Sequence, residues 1–509
     1  MPEPHTQSQA PETPRILRNW KVEEQLSAIR ELAGAKKSDA FKRFFWVTMT
    51  RAECGGEVRF QASAKTADTP EDDGHRTYYL ANIVMQGGGV LGLAHAGFVT
   101  GLELAGIRFA GIGGTSAGSI LAMLMTAIRG KDITNTTYRD AAHLLDTIPM
   151  ASFIDGPTPV RFLIKQALRR RNVLSPRHWP GLLAAGRQLV ANRGLNSGAA
   201  FQHWLEETLR NYHMHTMGEL DETLQHVHET LRCMPDHLDK ILKANRDQLQ
   251  EPGLISDSAI NRPDMLLKIM ATSVPTGVKF EFPSDLVYLA EDYQSVSPAM
   301  LVRASMSIPF FFHPIFFRTN PVNWSVPNRR FNENADGVEN GKGFVERCLQ
   351  DLVSDEKYRE LADLEEIGFL DGGLFSNLPA DAFQRSMPDI PTITVPLVRH
   401  ERPSKITREK SLRGLVKHSL TTAAVIRLQR DRDAIIQRDK EQLGFNTLQD
   451  IGKKGGAANF IERSFPVKRQ TIDTGQHNWL NFNMSDEEKA DLFLIGLNRA
   501  REFLESFND

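Results

Sequence analysis

The amino-acid sequence predicts an α/β fold: three layers, α/β/α, built on a central, mostly parallel sheet and carrying helical insertions. Two short apolar runs underlie the prediction, residues 81–86 (ANIVMQ) and 107–113, each leading into a cluster of glycines. Each is followed by an apolar stretch at helical spacing, residues 90–104 and 119–128. Strand, glycine turn and helix, repeated, is the pattern of a parallel sheet covered by helices. The third observation is size. A chain of 509 residues, 41% of them apolar, can bury a large core, and its charged fraction of 24% is ordinary for a globular protein.

Taken in order, the chain begins with MPEPHTQSQAPETP, which has no apolar core of a secretory signal and reads as a disordered leader through Pro14. Helical signals follow at residues 22–32 and 39–45, and a polar, acidic linker at residues 66–75 leads into the main domain. The expected organisation is an N-terminal extension (1–77), a main domain (78–400) with insertions near 130–260 and 320–366, and a helical C-terminal region (401–509) that completes or packs on it. Further strands are expected at residues 266–271, 285–289, 367–370 and 392–397. Residues 217–250 read as a charged, helical insertion. Residues 320–366 start as a loop rich in Asn, Pro and Arg and end in a helix at 343–364. The closing helix, residues 485–507, opens on Ser485 and Glu488, the two ends of a capping box.

Composition removes several function classes. The formal net charge is −2, from 61 basic and 63 acidic residues, which argues against a nucleic-acid binder. Cys54, Cys233 and Cys348 are odd in number and far apart, so they form neither a disulfide framework nor a CxxC zinc site and fit a reducing, cytoplasmic setting. No run approaches the roughly 18 apolar residues that span a bilayer. Neither a metal cluster nor a nucleotide site is evident, so no metal and no cofactor is expected.

Three motifs carry chemistry. GTSAG, Gly114 to Gly118, is the only G-x-S-x-G in the chain and lies between an apolar strand and an apolar helix. A nucleophile held on such a sharp turn needs small neighbours, which makes Ser116 a candidate nucleophile and Gly114 and Gly118 its flanks. The bland reading is a tight strand-to-helix turn. GGGVLG places Gly87, Gly88, Gly89 and Gly92 at the end of the preceding strand. Backbone N–H groups free of side chains can form an oxyanion hole there. The same letters satisfy G-x-G-x-x-G, the dinucleotide fingerprint, but that site wants an acidic residue about 20 positions on. None occurs from Leu104 to Lys131. Finally, IGFLDGGLFSNLP puts Asp371, followed by Gly372 and Gly373, at the end of an apolar run, with Asn377 and Pro379 stiffening the exit. An Asp-Gly turn is the bland alternative.

These three motifs, in this order, resemble the patatin-like phospholipase family. GLNSGAAFQHWLEETL, ATSVPTG, RASMSIPFFFHPI and IDTGQHNWLNFNMS resemble further stretches of the family pattern. The resemblance runs from Ala81 to Leu397 and loosely over the C-terminus. It implies a serine acyl hydrolase of the phospholipase A or lysophospholipase type acting on glycerolipids, with a Ser-Asp dyad and no catalytic histidine. Ser116 would be the nucleophile, Asp371 the base, and the Gly87, Gly88 and Gly89 loop the oxyanion hole. The chain departs from the pattern at Leu91, where the family usually has Arg or Lys, and at Ser273, where Asp is frequent.

A Ser-Asp-His triad in chain order would need a histidine after Asp371, and only His400, His418 and His477 follow it. His95 and His313 lie near the motifs and read as structural. A triad esterase or thioesterase acting on soluble esters, and a non-catalytic lipid- or protein-binding module on the same fold, stay open as alternatives. The remaining feature is a stretch without acidic residues, 156–205. From Arg161 to Arg193 it carries eight Lys or Arg residues interleaved with Phe162, Trp179 and several leucines. Such a segment fits an anionic membrane surface. It equally fits a solvated helix face or a contact with the acidic insertion. A second basic stretch, residues 399–417, has fewer aromatics.

Overall fold

The computed structural model describes residues 14–35, 37–45, 47–54, 57–62, 76–168, 178–232, 266–274, 279–289, 293–318, 365–374, 376–380, 382–383, 390–398 and 467–508. The strands are β1 (Thr48–Cys54), β2 (Glu57–Ala62), β3 (Arg76–Met85), β4 (Ile107–Thr115), β5 (Gly194–Asn196), β6 (Leu267–Val274), β7 (Lys279–Phe282), β8 (Phe310–Phe312), β9 (Ile315–Arg318), β10 (Glu366–Asp371), β11 (Thr392–Val395), β12 (Leu397–Val398), β13 (Val467–Arg469) and β14 (Ile472–Asp473). The main sheet runs β13-β11-β3-β4-β6-β10-β9. Its first five strands are mutually parallel, and β10 and β9 each turn antiparallel to the neighbour before. All nine residues of β4 are buried, as expected of a strand covered on both faces.

The helices are α1 (Trp20–Gly34), α2 (Asp39–Phe44), α3 (Leu93–Leu104), α4 (Ala117–Arg129), α5 (Tyr138–Thr147), α6 (Thr158–Leu168), α7 (Trp179–Asn192), α8 (Ala199–Asn211), α9 (Met217–Arg232), α10 (Pro298–Ser305) and α11 (Asp486–Glu505). They flank the sheet, as the α/β/α reading requires. The capping box at Ser485 and Glu488 is formed, and it starts α11 where expected. α11 lies on α3 at backbone contact: a Cβ on Gly496 would stand 1.8 Å from the Ala94 carbonyl oxygen, and one on Gly97 would stand 1.9 Å from that of Phe493. Gly496→Val should therefore force the helices apart and destabilise the fold by about 3 kcal/mol or more, the upper range for overpacking, read as a lowered thermal midpoint.

Several expectations need correction. Residues 285–289 do not form a strand. After β7, Pro283 leads into a 3₁₀ turn at Ser284–Tyr288, and the Asp285 carboxylate accepts the Glu281 N–H at 2.7 Å. The run at 392–397 breaks at Pro396 into β11 and β12. The N-terminal extension is not helical alone: β1 pairs antiparallel with β3 and with β2, with Gly55 and Gly56 between the hairpin strands. Its Phe41, Phe44 and Phe45 pack with Phe503 and Phe507 around the end of α11. The expected leader, the linker at 66–75, the helix at 343–364, the rest of the 320–366 insertion beyond its last residues, residues 233–250 and the 399–417 stretch lie outside the described residues.

Candidate active site

Ser116 joins β4 to α4 with φ 51° and ψ −118°, a left-handed conformation that non-glycine residues seldom adopt and that a nucleophile turn would require. The flanking glycines are there for space. A Cβ on Gly114 would stand 2.3 Å from the Gly118 carbonyl carbon, and one on Gly118 would stand 2.3 Å from the Met85 carbonyl oxygen. The Ser116 carbonyl accepts the Ser119 and Ile120 N–H groups and starts α4. Its own N–H donates to Ser305 Oγ at 2.9 Å. Ser116 is buried, at 4% exposure.

The glycine loop follows β3, which ends at Met85, and passes directly beside the serine. A Cβ on Gly87 would stand 3.1 Å from Ser116 Cβ, and one on Gly92 would stand 2.9 Å from Ala117 Cβ. Gly87 differs from its two neighbours. Its N–H donates to the Asn377 carbonyl at 3.1 Å, and Asn377 Nδ2 donates back to the Gly87 carbonyl at 3.2 Å, so its donor is already in use. The N–H groups of Gly88 and Gly89 donate to no described residue. Gly89 has φ +57° and lies against the Trp479 carbonyl, which accepts the Val90 N–H at 3.0 Å. The C-terminal segment thus buttresses the loop. Leu91, the departure from the family pattern, is buried in the core.

Asp371 arrives by a different route from the one the sequence suggests. β10 is antiparallel to β6, so its carboxyl end does not share the edge of the parallel strands by direction. β6 overruns β4 instead. Thr115 pairs with Met270, and the next residue, Ala271, pairs with Asp371. Ser116 and Asp371 therefore come level on either side of β6. Asp371 is 8% exposed, its Oδ1 accepts the Gly373 N–H at 2.7 Å, and its N–H donates to the Ser307 carbonyl at 2.9 Å. A Cβ on Gly372 would stand 2.1 Å from the Met270 carbonyl oxygen, which makes glycine obligatory there.

Sequence reasoning missed the element that joins the two residues. Ser305 at the end of α10 takes the Ser116 N–H, and Ser307, two residues on, takes the Asp371 N–H. Arg303 anchors this turn. It is fully buried, donates to Ser307 Oγ at 2.8 Å and to the Ser197 and His313 carbonyls at 2.7 and 2.8 Å, and burial lowers its guanidinium only to about 10. The segment RASMSIP was visible, but nothing in the residue types says that its serines reach two distant strands.

Among the described residues, His95, His313 and His477 each have partners other than Ser116. His95 is fully buried with Nε2 3.0 Å from the Val395 carbonyl, and burial lowers its pKa to about 4, so it is neutral at physiological pH. His313 is also shifted down, by burial and then by Arg303. His477 Nε2 lies 2.7 Å from Asp491 on α11. His400 and His418 lie outside the described residues, and among the described ones no histidine is hydrogen-bonded to Ser116. In the basic stretch, Arg169, Arg170, Arg171 and Arg177 lie outside the described residues, while Arg161, Lys165, Arg187 and Arg193 are exposed. A cavity of about 510 Å³ beside α6 and α7, lined by Asp155, Arg161, Lys165, Asn192, Ser197 and His313 among others, does not reach Ser116. Among the described residues no group of three or more His, Cys, Asp or Glu could hold a metal ion, and no helix is long and apolar enough to cross a membrane.

Comparison with known proteins adds three findings. A family model, Patatin-like phospholipase, matches residues 83–383. "Uncharacterized protein YqhO" of Bacillus subtilis is 23% identical over 237 residues, 47% of this chain, and the chain spans 58% of that relative's length. The crystal structure of VipD from Legionella pneumophila aligns with a TM-score of 0.33 at 13% identity, covering 94% of this chain and 73% of that one.

Proposed function

Because this chain belongs to the patatin-like phospholipase family, we propose that it is a serine lipid acyl hydrolase of the phospholipase A or lysophospholipase type. Ser116 attacks the acyl ester carbonyl, and Asp371 takes the hydroxyl proton and passes it to the leaving alcohol. The Gly88 and Gly89 N–H groups hold the oxyanion. Water, deprotonated by Asp371, then attacks the acyl-enzyme carbonyl, and Asp371 returns that proton to Ser116 Oγ as the fatty acid leaves. The observation that carries this reading is the left-handed, buried Ser116 with the glycine loop so close that a Cβ on Gly87 would stand 3.1 Å from the serine Cβ. Labelling with a fluorophosphonate probe, peptide mapping to Ser116 and a panel of phospholipids and lysophospholipids test it. A chain that neither takes the label nor hydrolyses any of them is not such an enzyme.

In this mechanism Ser305 is a positioning residue. It fixes the backbone of the nucleophile and does not touch substrate. Ser305→Ala leaves the buried Ser116 N–H without its acceptor, a loss of about 1–3 kcal/mol. We expect kcat to fall about tenfold or more with KM unchanged, and labelling of Ser116 to slow in proportion. A change in KM alone would place Ser305 elsewhere in the reaction. The substrate sits in a lipid surface, and we assign the contact with an anionic membrane to the basic stretch from Arg161 to Arg193.

A further inference from the structure

A helix on a protein surface ordinarily turns its apolar stripe toward the core. α7 carries a second apolar stripe on its outer face. Its buried positions are small, Gly181 and Ala185, and a Cβ on Gly181 would stand 2.9 Å from the Pro159 carbonyl oxygen of α6. Leu182 packs against the core, but three large apolar side chains face outward: Trp179, Leu183 and Val190 are 61%, 67% and 87% exposed. Their spacing of four and seven residues sets them in one ridge. Phe162 on α6 is exposed beside it. At the far end of α7, Phe310 pairs with Gly194 across β5 and β8, and Phe316 lies 5.9 Å from the Arg193 guanidinium. Six of the nine exposed large apolar side chains among the described residues thus belong to this one region.

The exposed charge on α6 and α7 is positive, and the one carboxylate in the adjoining cavity, Asp155, accepts from the Ser197 hydroxyl and the Gly198 and Ala200 N–H groups. Arg161, Lys165, Arg187 and Arg193 are exposed, and residues 156–205 contain no Asp or Glu. With 14 residues α7 is roughly 21 Å long, too short to cross a bilayer but long enough to lie in its surface. We propose that α7 lies flat in the interface of an anionic membrane, with Trp179, Leu183 and Val190 among the lipid chains and the four cations at the headgroup phosphates. The surface is tied to the site through Arg303, which binds Ser197 just beyond β5 and anchors the turn that holds Ser116 and Asp371. This inference rests on the lipid hydrolase reading for its purpose. It differs from simple electrostatic docking because insertion survives salt, which screens charge but not apolar contact.

Binding is measured by sedimentation with vesicles of phosphatidylcholine and phosphatidylglycerol, at low and high salt, on the full chain carrying Ser116→Ala so that no lipid is consumed. Replacing Trp179, Leu183 and Val190 together by Ser should weaken binding at least about tenfold at both salt concentrations. Replacing Arg161, Lys165 and Arg187 by Gln should weaken it at low salt only. In the active background both variants should keep turnover of a soluble short-chain ester. If the triple Ser variant fails to fold, Leu183→Ser alone, at an exposed position, serves as the milder variant. Binding of the apolar variants equal to the parent overturns the proposal, and so does a parent that does not bind vesicles. A parent dimer abolished by the apolar variants would also overturn it by assigning the ridge to a second copy. Vesicle binding through the ridge by a chain that hydrolyses no lipid would sink the enzymatic reading and leave the surface standing.

Discussion

Ser116→Ala is expected to abolish ester hydrolysis, a loss of about 10⁴-fold or more, the scale at which removal of a nucleophile leaves only binding and oxyanion stabilisation. Fluorophosphonate labelling should disappear with it. The fold should stay intact, because the strained turn is held by backbone: the Ser116 N–H to Ser305, and its carbonyl to Ser119 and Ile120. Alanine inherits the same φ of 51° at little further cost, since both residues carry a single Cβ there. The measurements are initial rates on a lysophospholipid and a thermal melt. Full labelling in the variant would move the nucleophile elsewhere, and loss of labelling together with a collapsed melt would call for Ser116→Gly, which relieves the strain and still lacks the hydroxyl.

The features legible in the sequence were those written in local pattern. β3, β4 and the helices that follow them read directly, because a buried parallel strand is a continuous apolar run and the turns between are glycines. The glycines of GTSAG and DGG were legible for the same reason: Gly118 and Gly372 lie where a Cβ would strike the Met85 and Met270 carbonyls. Edge structure was not legible. β1 and β2 (TMTRAEC and EVRFQA) lack an apolar run, and only pairing makes them strands, β1 with β3 and β2 with β1. Asp371 does end a strand, but nothing in the sequence says how that strand lies. The rule about carboxyl ends of parallel strands does not apply to β10, and it is the overrun of β6 past β4 that brings Asp371 level with Ser116. Contacts between residues far apart in the chain, such as Gly87 with Asn377 and Ser116 with Ser305, have no signature in local sequence.

The second large effect concerns the base. Asp371→Asn removes the proton acceptor while keeping an oxygen for the Gly373 N–H that Asp371 Oδ1 now accepts at 2.7 Å. The turn should therefore survive while turnover falls about 10³- to 10⁴-fold, the range found when the residues supporting a serine nucleophile are lost. The contrast that decides between dyad and triad is His477→Ala. His477 Nε2 is paired with Asp491 on α11, a partly exposed contact of the kind that contributes about 1 kcal/mol or less, so its removal should trim the thermal midpoint slightly and leave kcat within about twofold. His400→Ala and His418→Ala complete the set of histidines that follow Asp371 in the chain. Retention of activity in all three, beside its loss in Asp371→Asn, assigns proton transfer to the carboxylate. A fall near 10³-fold in any one of them would make that imidazole the base and Asp371 its orienting partner, and the reaction a triad mechanism.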